Sequence, residues 1–99
     1  MTLEEFIADY IGKHRSVTFS ELQEAAKRAG YPTHGRMEFG HGRTYLWSAM
    51  SEEFAFAVRN LLDGRQIRIV ETTKLDCMVA SPTLIASKDR WIPCRLEAT

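Results

Sequence analysis

Ser51–Val70 reads SEEFAFAVRNLLDGRQIRIV, and its hydrophobic period changes at Gly64. Before the glycine, Phe54, Ala55, Val58, Leu61 and Leu62 recur three and four residues apart, the spacing of one helix face. Ser51 can cap this helix, Glu52 and Glu53 suit the positive end of its dipole, and Gly64 stands where a C′ glycine belongs. If the helix starts as early as Tyr45, Trp47 and Met50 join its buried face. After the glycine the period is two: Ile67 and Ile69 alternate with Arg68 and Val70, and Cys77 and Val79 alternate with Asp76 and Met78. A tip at Thr72-Thr73-Lys74 pairs Ile69 with Cys77 and Ile67 with Val79, and sets Arg68 opposite Met78 and Val70 opposite Asp76. That hairpin has one apolar face to lay on helices, and Ser81-Pro82 ends it.

Two more helices precede this stretch. Thr2-Leu-Glu-Glu5 is a capping box, and Leu3, Phe6, Ile7, Tyr10 and Ile11 follow at helical spacing, predicting an amphipathic helix over 3–13. Gly12 and His14-Arg15 suit its end. Ser16–Thr18 is a short β-prone piece. Thr18 and Glu21 form a second capping box, with Ser20 and Gln23 as an alternative. Leu22, Ala25, Ala26 and Ala29 then make a narrow small-residue face, closed by Gly30 and Pro32. The order is α+β within one domain, 1–99, with a core over 3–80, an insertion at 31–44 and a C-terminal extension at 83–99. In that extension Pro93 permits only an edge strand or a packed segment.

The bulk numbers remove several function classes. A chain of 99 residues holds one core, and 44% apolar residues are enough to fill it. Thirteen basic residues balance thirteen acidic ones, so no global field draws the protein to DNA or anionic lipid. No apolar run approaches the ~18 residues of a membrane span, and the N-terminus has acids where a signal peptide has bases. A soluble, cytoplasmic protein is expected. Cys77 and Cys94 form no zinc site by themselves and read as reduced thiols.

"VTFSELQEAAKRAG" (17–30) and "FAVRNLLDGRQIRIV" (56–70) resemble the strand and second helix, and the recognition helix and wing, of the winged helix-turn-helix superfamily. The resemblance covers residues 3–80, roughly four-fifths of the chain, and is a superfamily pattern. It implies three helices and a two- or three-stranded antiparallel wing, with the third helix in the DNA major groove and the wing on the backbone. The chain departs from the pattern between helices two and three, where Tyr31–Thr44 replaces a turn of a few residues.

The resemblance gives Arg36, Arg43, Arg65, Arg68 and Lys74 the phosphate contacts, and Arg59 and Asn60 the reach to base edges. The third helix's outward face also carries Glu52, Glu53, Phe56 and Asp63, and carboxylates beside phosphate only repel. Two readings follow. One is a DNA-binding transcriptional regulator, able to act as a homodimer because one small neutral module holds a site weakly. The other is a winged helix used as a protein–protein module, an adaptor or inhibitor of a nucleic-acid-handling machine, docking through Phe56 and its carboxylates. In the bland alternative, the insertion or the C-terminal tail covers Phe56.

One motif remains: "THGRMEFGHGRTY" (33–45) writes His-Gly-Arg twice. His34, Glu38 and His41 are three candidate ligands without a fourth, a weak metal signal. No nucleophile–base pairing or phosphate-cradling motif is recognisable, so neither a catalytic centre nor a cofactor is expected. Gly35, Gly40 and Gly42 can bring backbone close to a phosphate, with Arg36 and Arg43 supplying charge. The commonest outcome for such a loop is structural: Met37-Glu38-Phe39 as a packed element, even a short strand or hairpin.

Overall fold

The computed structural model describes residues 1–41, 44–72 and 92–99. Among the described residues three helices and five strands follow in the order α1 (Leu3–His14), β1 (Ser16–Thr18), α2 (Phe19–Arg28), β2 (His34–His41), β3 (Thr44–Met50), α3 (Glu52–Asp63), β4 (Ile67–Glu71) and β5 (Cys94–Ala98). The fold is α+β, with one antiparallel sheet in the order β1-β5-β4 and a separate β2–β3 hairpin. Among the described residues no helix is long and apolar enough to cross a membrane.

The helix starts follow from local chemistry. The Thr2 hydroxyl accepts from the Glu5 amide at 3.1 Å, and the Glu5 carboxylate accepts from the Thr2 amide at 2.9 Å. The bond from the Thr2 amide first, and the Thr2 hydroxyl second, hold the Glu5 carboxyl below its ordinary range. The cap therefore stabilises fully above the ordinary Glu value and is lost as pH falls through the lowered one. On α2 Thr18 accepts from the Glu21 amide at 3.1 Å. The reciprocal half of that expected box is replaced, for Glu21 turns instead toward Arg95 on β5, 3.7 Å away.

One helix end falls where it is expected and one is shifted. Gly30 (φ +93) ends α2, with the Tyr31 amide donating to Ala26 O and the Gly30 amide to Lys27 O, both at 3.0 Å. This is a Schellman closure at the expected glycine. For α3 the same closure lies one residue later than expected. The Gln66 amide reaches Leu61 O and the Arg65 amide reaches Leu62 O, so Arg65, at φ +58, takes the left-handed position. Gly64 is the C-cap in helical conformation. A Cβ there would lie 3.3 Å from Asn60 O, a tight fit that glycine avoids.

Residues 44–50 form a strand rather than an early turn of α3, so Trp47 and Met50 reach the core from β3. Ala49 at φ +59 and the Ser51 cap separate strand from helix. The packed alternative for Met37-Glu38-Phe39 is what the structure has: β2 pairs β3, with Phe39 opposite Trp47 and irregular register between His34 and Gly40.

The largest correction concerns the tail, which pairs with β4. Ile69 lies opposite Leu96 and Ile67 opposite Ala98, so the partner seen for β4 is β5. The partners expected from sequence, Asp76–Val79, and the tip residues Thr73 and Lys74 lie outside the described residues. Residues 94–98 are the middle strand of the sheet, not an appendage to a core ending near residue 80, and Cys94 and Leu96 are buried in the core. Pro93 is compatible with this because it precedes the first paired residue, and its carbonyl accepts from Thr72.

Ile7 and Ile11 of α1, Leu22 and Ala26 of α2, and Phe54, Val58 and Leu61 of α3 meet Val17, Ile67 and Leu96 of the sheet in one core. The hairpin joins it through a buried polar clamp. Gln23 Nε2 donates to Thr33 O at 3.0 Å and Ala49 O at 3.1 Å, while its Oε1 accepts from Trp47 Nε1 at 2.7 Å. Replacing Gln23 by leucine leaves an indole N–H and two carbonyls without these partners. A loss of about 2–4 kcal/mol is expected in urea unfolding. Arg65→Gly is expected to add about 0.5–1 kcal/mol in the same measurement, because glycine relieves the positive φ.

Candidate functional site

Helix α3 buries Phe54, Ala55, Ala57, Val58 and Leu61. That leaves Glu52, Glu53, Phe56, Arg59, Asn60 and Asp63 exposed on the other side. Residues three and four apart are neighbours on a helix surface, so Glu52 and Glu53 flank Phe56 on one turn and Arg59 and Asn60 on the next. Phe56 is 52% exposed, a large apolar side chain on an otherwise hydrophilic face. The expected cover is partial: strand β2 runs beside Phe56 without enclosing it.

Between β2 and α3 lies an open cleft of about 370 Å³. Met37, Glu38, Phe39 and Gly40 form one wall, and Ala55, Phe56, Arg59, Leu62 and Asp63 the other. The β2 wall is anchored from behind. Phe39 contacts Phe19 at a ring separation of 6.0 Å, and Phe19 stacks on Trp47 at 6.2 Å, where the Gln23 clamp takes over. Of the residues singled out on α3 from the sequence, Phe56, Arg59 and Asp63 line this cleft and Glu52 and Glu53 do not, while the insertion lies beside Phe56 as the alternative reading had it. The alternation of Met37 and Phe39 around Glu38 was the available signal, but nothing local places that strand beside Phe56.

The basic candidates are dispersed. Arg59 sits 3.9 Å from Asp63 along the helix, and Arg68 bonds Glu97 at 3.1 Å across the β4–β5 pair. Arg36 is exposed on β2, next to Gly35, which backs onto the start of α3 at Ser51. Arg65 follows the other end of a helix that runs roughly 18 Å at the usual rise. Asn60 is exposed and its carbonyl accepts from the Gly64 amide. Arg43 and Lys74 lie outside the described residues.

One glycine of the His-Gly-Arg stretch, Gly35, has a steric reason. A Cβ on Gly35 would lie 2.8 Å from Met50 O and 2.9 Å from Ser51 Cα, so the close approach there is to this chain's own backbone rather than to a phosphate. Gly40 lines the cleft. His34 Nδ1 is 2.8 Å from Thr33 Oγ1, a contact at the root of the hairpin, and the His41 side chain is outside the described atoms. Comparison with protein-family models, curated proteins and solved structures finds no match.

Gly35→Ala is expected to cost about 1–3 kcal/mol, because both obstructing atoms are backbone. Gly12→Ala, where nothing lies within 4 Å of the added methyl, should instead gain about 0.5–1 kcal/mol as a mid-helix glycine replaced by alanine. Paired thermal melts of the two variants check both signs.

Proposed function

We propose that this chain is a winged-helix module that docks a protein partner through the cleft between β2 and α3. Two features support the winged-helix part. The elements run helix, strand, helix, helix, strand, strand once the β2–β3 hairpin is set aside. The strand after α1 pairs with the last strand, and the strand leaving α3 pairs with its other edge. The hairpin between α2 and α3 departs from that pattern, where the superfamily has a short turn, and it packs against the helix that would otherwise enter a groove.

The observation carrying the docking reading is Phe56, half exposed at the mouth of a cleft of mixed apolar and charged lining, with Glu52, Glu53 and Asp63 on the same helix face. Aromatic anchors ringed by polar groups suit protein interfaces. The same carboxylates near DNA phosphates repel and release no counterions. A DNA-binding regulator, acting as a homodimer, is the second reading. It is favoured by the adjacent, exposed Arg59 and Asn60, with Arg36 and Arg65 toward the two ends of α3.

Two measurements separate the readings. Fluorescence anisotropy with mixed-sequence duplexes is expected to show no binding even in low salt. Tight, Arg59-dependent binding at physiological salt would replace the docking reading with the second. In cell-extract pull-downs, Phe56→Ser should lose the partners retained by the parent chain while its melting curve is unchanged. Retention of every partner by that variant removes the docking reading.

A further inference from the structure

The charge pattern around the cleft indicates what kind of segment fits it. Its apolar lining comes from Met37, Phe39, Ala55, Phe56 and Leu62, around an open volume of about 370 Å³ that has room for one hydrophobic side chain. The charges on the α3 side are unevenly settled. Glu52 and Glu53 occupy the first turn, where the helix dipole favours carboxylates. Asp63 occupies the last turn, where the dipole disfavours one, and that turn contains no basic residue. Its intrahelical partner Arg59 is 3.9 Å away, with the base preceding the acid, which is the weaker order for an i,i+4 pair. The charged residues lining the cleft are Glu38, Arg59 and Asp63, two acids against one base, while Arg65 after the helix and Arg36 before the cleft on β2 are not part of the lining.

We infer that the segment received here is basic and apolar: a leucine or aromatic side chain seated against Phe56 and Phe39, with an adjacent lysine or arginine facing Asp63. This rests on the docking reading above. Such a cation meets both the carboxylate and the negative end of the α3 dipole. A second copy of this chain fits less well. An isologous contact through this face would set Glu52, Glu53 and Asp63 against their own copies. A phosphate backbone meets the same repulsion.

The test uses a phage-displayed library of random dodecapeptides selected on the intact chain and counter-selected on Phe56→Ser, itself confirmed folded by its melt. Enriched sequences should place lysine or arginine next to a leucine or aromatic residue. The synthetic consensus peptide should lose roughly three- to tenfold in affinity on Asp63→Asn and weaken as salt rises. Enrichment of acidic or uncharged sequences that still require Phe56, or an affinity unmoved by Asp63→Asn, overturns the basic-segment assignment and leaves the docking reading standing. An absence of any Phe56-dependent enrichment overturns both.

Discussion

The side-chain amide of Gln23 holds the two parts of this molecule together. It is buried, and it uses both donors and its acceptor on groups from a different part of the chain: the carbonyls of Thr33 and Ala49 and the indole of Trp47. In a low-dielectric interior such a network is strong when complete and costly when broken. Because Thr33 precedes β2 and Ala49 lies at the end of β3, one side chain on α2 clamps both legs of the inserted hairpin.

The cleft depends on that clamp. A two-stranded hairpin is marginally stable alone, so β2 needs a rigid backing to form one wall of a site. Trp47 supplies it by bonding to Gln23 and stacking on Phe19, which in turn contacts Phe39. Ser51 adds a second tie: its hydroxyl donates to Pro32 O at 2.9 Å and accepts from the Phe54 amide, so the cap of α3 also holds the root of the hairpin. The distance between β2 and α3 is thereby set by the same atoms that start the helix. Gly35 permits this, since any larger residue would push the strand away from Met50 and Ser51.

The sheet shows a similar economy. Arg95, on the central strand, donates from Nε to Ser16 Oγ at 2.8 Å and from a terminal nitrogen to Ser16 O at 3.0 Å, and also approaches Glu21. One guanidinium thus links β5 to β1 and to the first turn of α2. Val17, buried opposite Leu96, completes the join on the apolar side. A three-residue strand that would be negligible alone is held in register by these contacts.

What local chemistry dictates was legible in the residues. The three helices, their caps at Thr2, Thr18 and Ser51, the Gly30 stop, the buried stripe of α3 and the strand after Gly64 all follow from interactions within a few residues. So did the outward position of Phe56 among carboxylates, because helical spacing fixes which residues oppose a buried stripe. Pairing across the chain was not legible. Ile67 and Ile69 alternate equally well against Cys77 and Val79 or against Leu96 and Ala98, and alternation names a face without naming a partner. The one-residue shift from Gly64 to Arg65 was also hidden, since the glycine was needed to avoid Asn60 O rather than to supply a positive φ. By itself, then, the sequence determined the helices and the face that α3 leaves wet. Only tertiary packing decided that β5 sits mid-sheet and that β2 lies beside Phe56, because those outcomes rest on contacts such as Gln23 with Trp47, between residues with no local relation.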